Sequence, residues 1–275
     1  MYLETGNGIR MKMNNTWFKT RISTLLLVFA FSIFTHFVFS QKVDSIKTIN
    51  HFGGAVTVTN NGISLLPTFS LGKPAVMFDM SVGNKKLSFE PQLRFSLEGN
   101  PWAFLFWWRY KLLNTDKFQV KVGAHPAIAF KTVPTISMNG DTNETIVAQR
   151  YLAMEFSPNY FITKNISIGI YYLHSHGFDE GATKNTHFVT INSNISNIKL
   201  SEQFFLKFNP QIYYLRMDEL EGYYVTATFT LASRNFPLSL QSIVNQTIET
   251  NIPARNDFVW NVSLIYSFNK DYVKH

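Results

Sequence analysis

The chain contains no cysteine. That absence removes disulfides, thiol catalysis, thiolate metal sites and a lipid-anchored N-terminal cysteine together. Charge is scarce as well, with Asp, Glu, Lys and Arg making up 16% of 275 residues. Four of the 25 Lys and Arg and one of the 18 Asp and Glu precede Gln41, which leaves the remainder a net charge of +4. This small excess is scattered and forms no basic patch, so nothing points to nucleic acid as a partner. Beyond Gln41 no apolar run is long enough for a membrane-spanning helix. A phosphate loop, a dinucleotide fingerprint and a nucleophile elbow are all missing, and no cofactor is implied. No internal repeat or low-complexity linker divides the chain, which reads as a single domain.

The first forty residues have the layout of an export signal. Lys12, Lys19 and Arg21 form a basic segment, and Leu25 to Phe39 is apolar except for Ser32, Thr35 and His36. Val38 and Ser40 occupy the −3 and −1 positions of a cleavage site before Gln41. Met1, Met11 and Met13 are all candidate starts. The expected division is a signal peptide over 1–40, a short polar lead over 41–50 and one β domain over 51–275.

After the lead, alternation is the dominant pattern. In one stretch Leu87, Phe89, Pro91, Leu93, Phe95 and Leu97 fall on one face, with Ser88, Glu90, Gln92, Arg94, Ser96 and Glu98 on the other. A strand sends successive side chains to opposite sides of its sheet, so the two faces meet different surroundings. The same period of two recurs over 75–82, 102–112, 118–130, 152–160, 166–172, 187–195, 204–214, 223–231, 238–248 and 258–268. Aromatics are abundant at 16%, and the mean hydropathy is near zero because apolar and polar residues alternate instead of segregating. A soluble β-sandwich also alternates. Here, however, Lys, Arg and Glu sit in mid-strand on the polar faces, and aromatics sit at the ends of the apolar ones. Both features suit a barrel with a wet lumen and a greasy exterior.

Long and short connections alternate. The long ones are expected at Thr132–Asn143, His176–Asn185, Arg216–Gly222 and Asn251–Asp257. The short ones are expected at 114–116, 163–165, 197–201 and 233–237. With long loops outside and short turns in the periplasm, the last strand runs down to the periplasm. Asn60-Asn61-Gly62 has the form of a hairpin turn, which would make thirteen strands. Barrels of this kind have an even number. A bulge there, with 52–71 as one long strand, makes twelve, and twelve is the expected count, with ten and fourteen as alternatives.

On these residues the chain resembles Gram-negative outer-membrane β-barrel proteins. The resemblance rests on the segment to Ser40, the period-two strands and the stretch Trp260–Phe268. That stretch is similar to the C-terminal signal read by the barrel assembly machinery, except that seven residues follow Phe268. The resemblance implies an all-β, antiparallel transmembrane barrel of about 12 strands in the outer membrane. Lipid and the assembly machinery would be its partners. It leaves the activity open, because such barrels include channels, enzymes and adhesins.

Two places could carry function. The expected lumen lining comprises Glu90, Arg94, Glu98, Arg109, Lys111, Lys121, His125, Glu155 and Lys207. Opposite charges across a narrow lumen pair and plug it, whereas segregated charges set selectivity for a small solute. The other place is Tyr172-Leu-His-Ser-His-Gly-Phe-Asp-Glu180, where His174 and His176 share the lipid-facing parity and His187 begins the next strand. Some outer-membrane lipid hydrolases pair a His and a Ser on one strand face as His-x-Ser. This chain reads His-x-His, with Ser175 on the opposite face. A metal site from the three histidines with Asp179 or Glu180 is not diagnostic in its spacing. The leading expectation is a non-enzymatic barrel, either a narrow pore or closed. The alternatives are an outer-leaflet lipid hydrolase using His174 or His176 and a secreted β-sandwich that binds carbohydrate.

Overall fold

The computed structural model describes residues 49–64, 70–136, 142–253 and 256–273. The expected signal peptide and nearly all of the polar lead lie outside them. Twelve strands follow one another: β1 (Ile49–Thr59), β2 (Ala75–Asn84), β3 (Leu87–Ser96), β4 (Pro101–Asn114), β5 (Phe118–Ile136), β6 (Thr142–Phe161), β7 (Ile166–Gly177), β8 (Asn185–Lys199), β9 (Phe204–Met217), β10 (Leu220–Ser233), β11 (Leu238–Thr250) and β12 (Phe258–Val273). Each pairs antiparallel with its neighbours in sequence, and β1 closes the sheet on β12. A single closed sheet replaces the two facing sheets of the sandwich alternative. Closure leaves no strand edge unpaired, which is the condition for a sheet to stand in lipid.

Alternation sorts the side chains as the sequence does. Phe78, Trp108, Leu152, Ile170, Ile191, Ile212, Leu240, Trp260 and Leu264 are exposed on the outer surface. Aromatic ladders flank this band. Phe78, Phe95, Phe104 and Phe130 run in successive contact at 6.3, 5.3 and 5.1 Å between centroids near one end. Phe89–Trp108 and Phe208–Phe229, at 4.7 and 4.8 Å, lie nearer the other.

The count of twelve holds, but not through a long strand over 52–71. β1 stops at Thr59, and residues 60–64 and 70–74 are not strand. Nor is Asn60-Asn61-Gly62 a hairpin turn. Asn60 N donates to Val262 O at 3.2 Å and Asn61 Nδ2 to Trp260 O at 3.1 Å, so the chain continues along β12 instead of reversing. Gly62 then packs so closely on Trp102, Leu71 and Ala75 that a Cβ would lie 3.1 Å from each.

Strands also run further than their periodic windows. β5 and β6 pair from Phe118↔Tyr160 up to Ile136↔Thr142, consuming most of the expected long loop. Arg216–Gly222 shrinks to a two-residue turn, Asp218-Glu219, with Asp218 at φ 54°. β12 continues past Phe268 to Val273, paired with Ile49. A register shift after Arg94 turns Trp102 inward, where it is 5% exposed and lies beneath the Arg94 guanidinium, although its parity places it outside.

Candidate functional site

Five consecutive strands converge on one ion pair network inside the barrel. Arg109 on β4 donates through Nε to Glu155 Oε1 at 2.6 Å, through Nη2 to Glu155 Oε2 at 3.1 Å and through Nη1 to Glu90 Oε2 at 2.5 Å. Ser88 holds the other Glu90 oxygen at 2.6 Å, and Tyr171 on β7 donates to Glu155 Oε2 at 2.9 Å. The Glu155 side chain is 2% exposed, against 23% for Arg109 and 25% for Glu90. The guanidinium lies 4.2 Å from the Trp107 ring centre, and Trp107 packs on His125 at 3.9 Å. Gly123 on β5 makes this possible, because a Cβ there would sit 2.8 Å from Glu155 Oε1 and 3.1 Å from Arg109 Cγ.

Toward the end that carries the loops, the lumen turns apolar. Trp107, Leu173, Phe188, Tyr213, Leu215, Tyr224 and Ile252 form one buried cluster, in which Phe188 and Leu215 are 0% exposed. Tyr213 stacks on Tyr224 at 4.9 Å and meets Phe188 at 5.0 Å. The phenols are satisfied: Asn245 Nδ2 donates to Tyr213 Oη at 2.6 Å, and the Tyr224 hydroxyl shares a 2.7 Å bond with Thr250. The cluster draws on β4 and on β7 to β10, which face each other across the lumen. Inward side chains of an open channel would be wetted, and these are dry.

Toward the turn end the inward face is polar and only half-buried, with Lys121, Asn192, Asn194, Asn209, Gln211, Thr226 and Thr228. Lys111 and Lys121 stand directly opposite each other in the β4–β5 register. Lys207 is exposed, 5.7 Å from the Phe205 ring. Arg94 donates to Gln92 at 3.0 Å and rests 5.4 Å from the Trp102 ring. Of the nine residues expected to line the lumen, Glu98 departs: it lies in the turn after β3, exposed and 3.8 Å from Lys73, because β3 ends at Ser96.

Sequence reasoning missed the apolar cluster. Its signal was present in adjacent apolar or aromatic residues inside alternating strands: Trp107-Trp108, Tyr171-Tyr172-Leu173, Tyr213-Tyr214-Leu215 and Tyr223-Tyr224. In each run of two, one residue must face inward, and in the runs of three both Tyr171 and Leu173, and both Tyr213 and Leu215, do so.

The three candidate histidines His174, His176 and His187 lie on the outer surface. His174 and His187 are register partners with ring centres 4.7 Å apart. The Tyr172 hydroxyl bonds His187 Nδ1 at 2.9 Å, and His174 Nδ1 lies 3.2 Å from Thr186 O. His176 Nδ1 is 3.2 Å from Asn185 Oδ1. Ser175 is 7% exposed on the lumen side, so it shares no face with either neighbouring histidine. Asp179 is held by Arg150 through its backbone N at 2.5 Å and guanidinium at 2.6 Å, which keeps that carboxylate away from the histidines. Among the described residues no His, Asp and Glu gather as a three-ligand metal site.

No family model matches the chain, and no curated protein matches it. Solved structures do. A KdgM porin in complex with disordered oligogalacturonate aligns with a TM-score of 0.50 at 9% identity, over 79% of this chain and 99% of that one. The fold is that of an outer-membrane β-barrel. Similarity also extends to the NanC porin (TM-score 0.42, 12% identity, 81% of this chain and 100% of that one) and to LpxR from Salmonella typhimurium (0.41, 10%, 78% and 99%). At these identities the likeness concerns the barrel alone, and the interior chemistry has to be read from this chain.

Proposed function

We propose that this protein is an integral outer-membrane barrel, with its loops outside and its turns in the periplasm, whose lumen is closed in the resting state. The observation that carries the reading is the dry layer of Phe188, Leu215, Tyr213 and Tyr224 above the Arg109 network. Water and small solutes need a continuous wetted path, and a close-packed layer with satisfied phenols offers none. The lower lumen is an aqueous vestibule open to the periplasm. Assembly depends on the barrel machinery, read through the β12 strand, and the exported chain loses its first forty residues.

A narrow pore is the second reading. It is favoured by the half-buried polar lining from Lys121 to Asn209, which would form half of a conduction path. Planar-bilayer recording separates the two. Insertion is verified first by a heat-shift gel, in which a folded barrel migrates differently before and after boiling. The wild-type protein should then give a silent bilayer, and a steady unitary conductance would overturn the closed reading.

A further inference from the structure

The outer surface of β7 to β10 carries an unusual row of side chains that runs across the strands near their loop ends. Register pairs His174 with His187, His187 with Arg216 and Arg216 with Glu221, so these side chains stand side by side on adjacent strands. The next outward row toward the turns, two residues along each strand, is Tyr172, Val189, Tyr214 and Tyr223, and the one after it is Ile170, Ile191, Ile212 and Val225. Those four aliphatic residues are 42–52% exposed. The polar row therefore caps the lipid-facing band at its loop end, where headgroups of the facing leaflet lie.

The row sets two imidazoles beside a guanidinium, with the Glu221 carboxylate at its far end. The Tyr172 hydroxyl engages His187 Nδ1, which leaves His187 Nε2 to donate to a ligand, while His174 gives its Nδ1–H to Thr186 O and donates from Nε2 only as imidazolium. Arg216 bonds Asp218 O at 3.0 Å through Nε and lies 3.7 Å from Glu219, a turn residue whose side chain is 93% exposed. Glu221, at the far end, is occupied by the Tyr214 hydroxyl at 2.5 Å. Beside the histidines a groove of about 330 Å³ is lined by Met154, Glu155, Phe156, Tyr172, His174 and His187, the Glu155 carboxylate being held inside the barrel by Arg109 and Tyr171. Met154 and Phe156 are 54% and 46% exposed and bring a strip of apolar surface up to the imidazoles. Elsewhere near the loop end, on β2 to β5, the outward ladder is Phe78, Phe95, Phe104 and Phe130, with no such row of bases. Arg150, nearby on β6, is matched by Asp179.

We infer that this surface is a docking site for a phosphate-bearing lipid of the leaflet at the loop end. The phosphate is bound between His187 and Arg216, with His174 beside it, and an acyl chain lies in the Met154–Phe156 groove. Phosphate accepts charge-assisted bonds from guanidinium and imidazole, and the bilayer supplies the apolar half of the ligand. The inference rests on the membrane-embedded orientation proposed above.

The test uses the full barrel purified in a non-ionic detergent, with native mass spectrometry as the readout. The probes are dioctanoyl phosphatidate, dioctanoylglycerol with the same chains and no phosphate, and inorganic phosphate. The barrel should retain phosphatidate and lose dioctanoylglycerol. Arg216→Gln and His187→Gln should each cut phosphatidate retention about tenfold, while Phe78→Ala on the far face leaves it unchanged. Equal retention of the two lipids, or full retention by Arg216→Gln, overturns the site. Displacement by inorganic phosphate at equal concentration assigns the site to the free anion and overturns the lipid assignment. A heat-shift gel run on the same samples keeps the two readings apart. A shifted barrel without phosphate selectivity defeats this inference alone, whereas an unshifted wild type defeats the membrane barrel and this inference with it.

Discussion

Replacing Arg109 with methionine tests how far the ion-pair network inside the barrel is shielded from water. The substitution keeps much of the stem that packs on Trp107 and removes every donor to Glu155 and Glu90. Two carboxylates would then face each other with no cation between them. Breaking a buried ion pair by deleting one partner costs about 3–5 kcal/mol. The low end applies here, because Arg109 and Glu90 are about one quarter exposed and Tyr171 continues to donate to Glu155. The expected loss is about 3 kcal/mol, a factor of roughly 100 in the folding equilibrium. Urea titration of the barrel in lipid vesicles, followed by tryptophan fluorescence, measures it. Double-mutant cycles then apportion it. The Arg109–Glu155 coupling, bidentate and dry, should exceed the Arg109–Glu90 coupling, which at its exposure is worth about 1 kcal/mol. A loss below about 1 kcal/mol for Arg109→Met, or a larger coupling to Glu90, would mean that the network is solvated and the reasoning fails.

Other substitutions probe the neighbouring layers. Leu215→Ala empties a fully buried position in the apolar layer; it should cost about 3 kcal/mol in the same titration and convert silent bilayers to intermittently conducting ones. Gly123→Val drives a side chain into Glu155 and Arg109, and should lower the unfolding midpoint more than Gly99→Ala, where a Cβ meets nothing within 4 Å despite a φ of +88°. In the exposed β7–β8 loop, hydrogen bonds from the Arg150 side chain and backbone depress the Asp179 carboxyl from its ordinary 3.8 to about 2. A depressed carboxyl stabilises the folded loop above its unfolded value and loses that contribution as pH falls through about 2. A carboxyl NMR titration should therefore find Asp179 near 2 in the wild type and close to its ordinary value in Arg150→Ala, with faster proteolysis across 178–184.

The exterior of this barrel was legible because lipid imposes one rule on every strand: apolar residues at every second position, from Phe78 to Leu264. Ends and irregularities were not. β5 and β6 extend far beyond their apolar windows because pairing persists where no bilayer enforces alternation. Trp102 points inward against the parity of its strand because a register shift after Arg94 exchanges inside for outside, and no local residue type announces a bulge. Twelve strands were expected on a bulge in 52–71. The count stands because Asn60 and Asn61 spend their hydrogen bonds on β12, a contact some 200 residues away in sequence. The ionic residues Glu90, Arg109 and Glu155 could be assigned to the interior individually, but their meeting depends on which strands lie side by side.

The polar face of an alternating strand does not by itself distinguish a channel from a plug. That distinction lies in where alternation breaks. A lumen kept wet tolerates Ser, Thr, Asn and Lys at inward positions, and the lower half of this barrel has them. An inward aromatic standing alone would expose a large ring to water, so aromatics are favourable only if several meet. Trp107, Tyr171, Tyr213 and Tyr224 each sit beside an outward-facing aromatic, and all belong to or pack on the same layer. Four strands have thus placed their departures from the rule at one height. Without cysteine, such a layer gives the interior a packed core that a water-filled cylinder lacks.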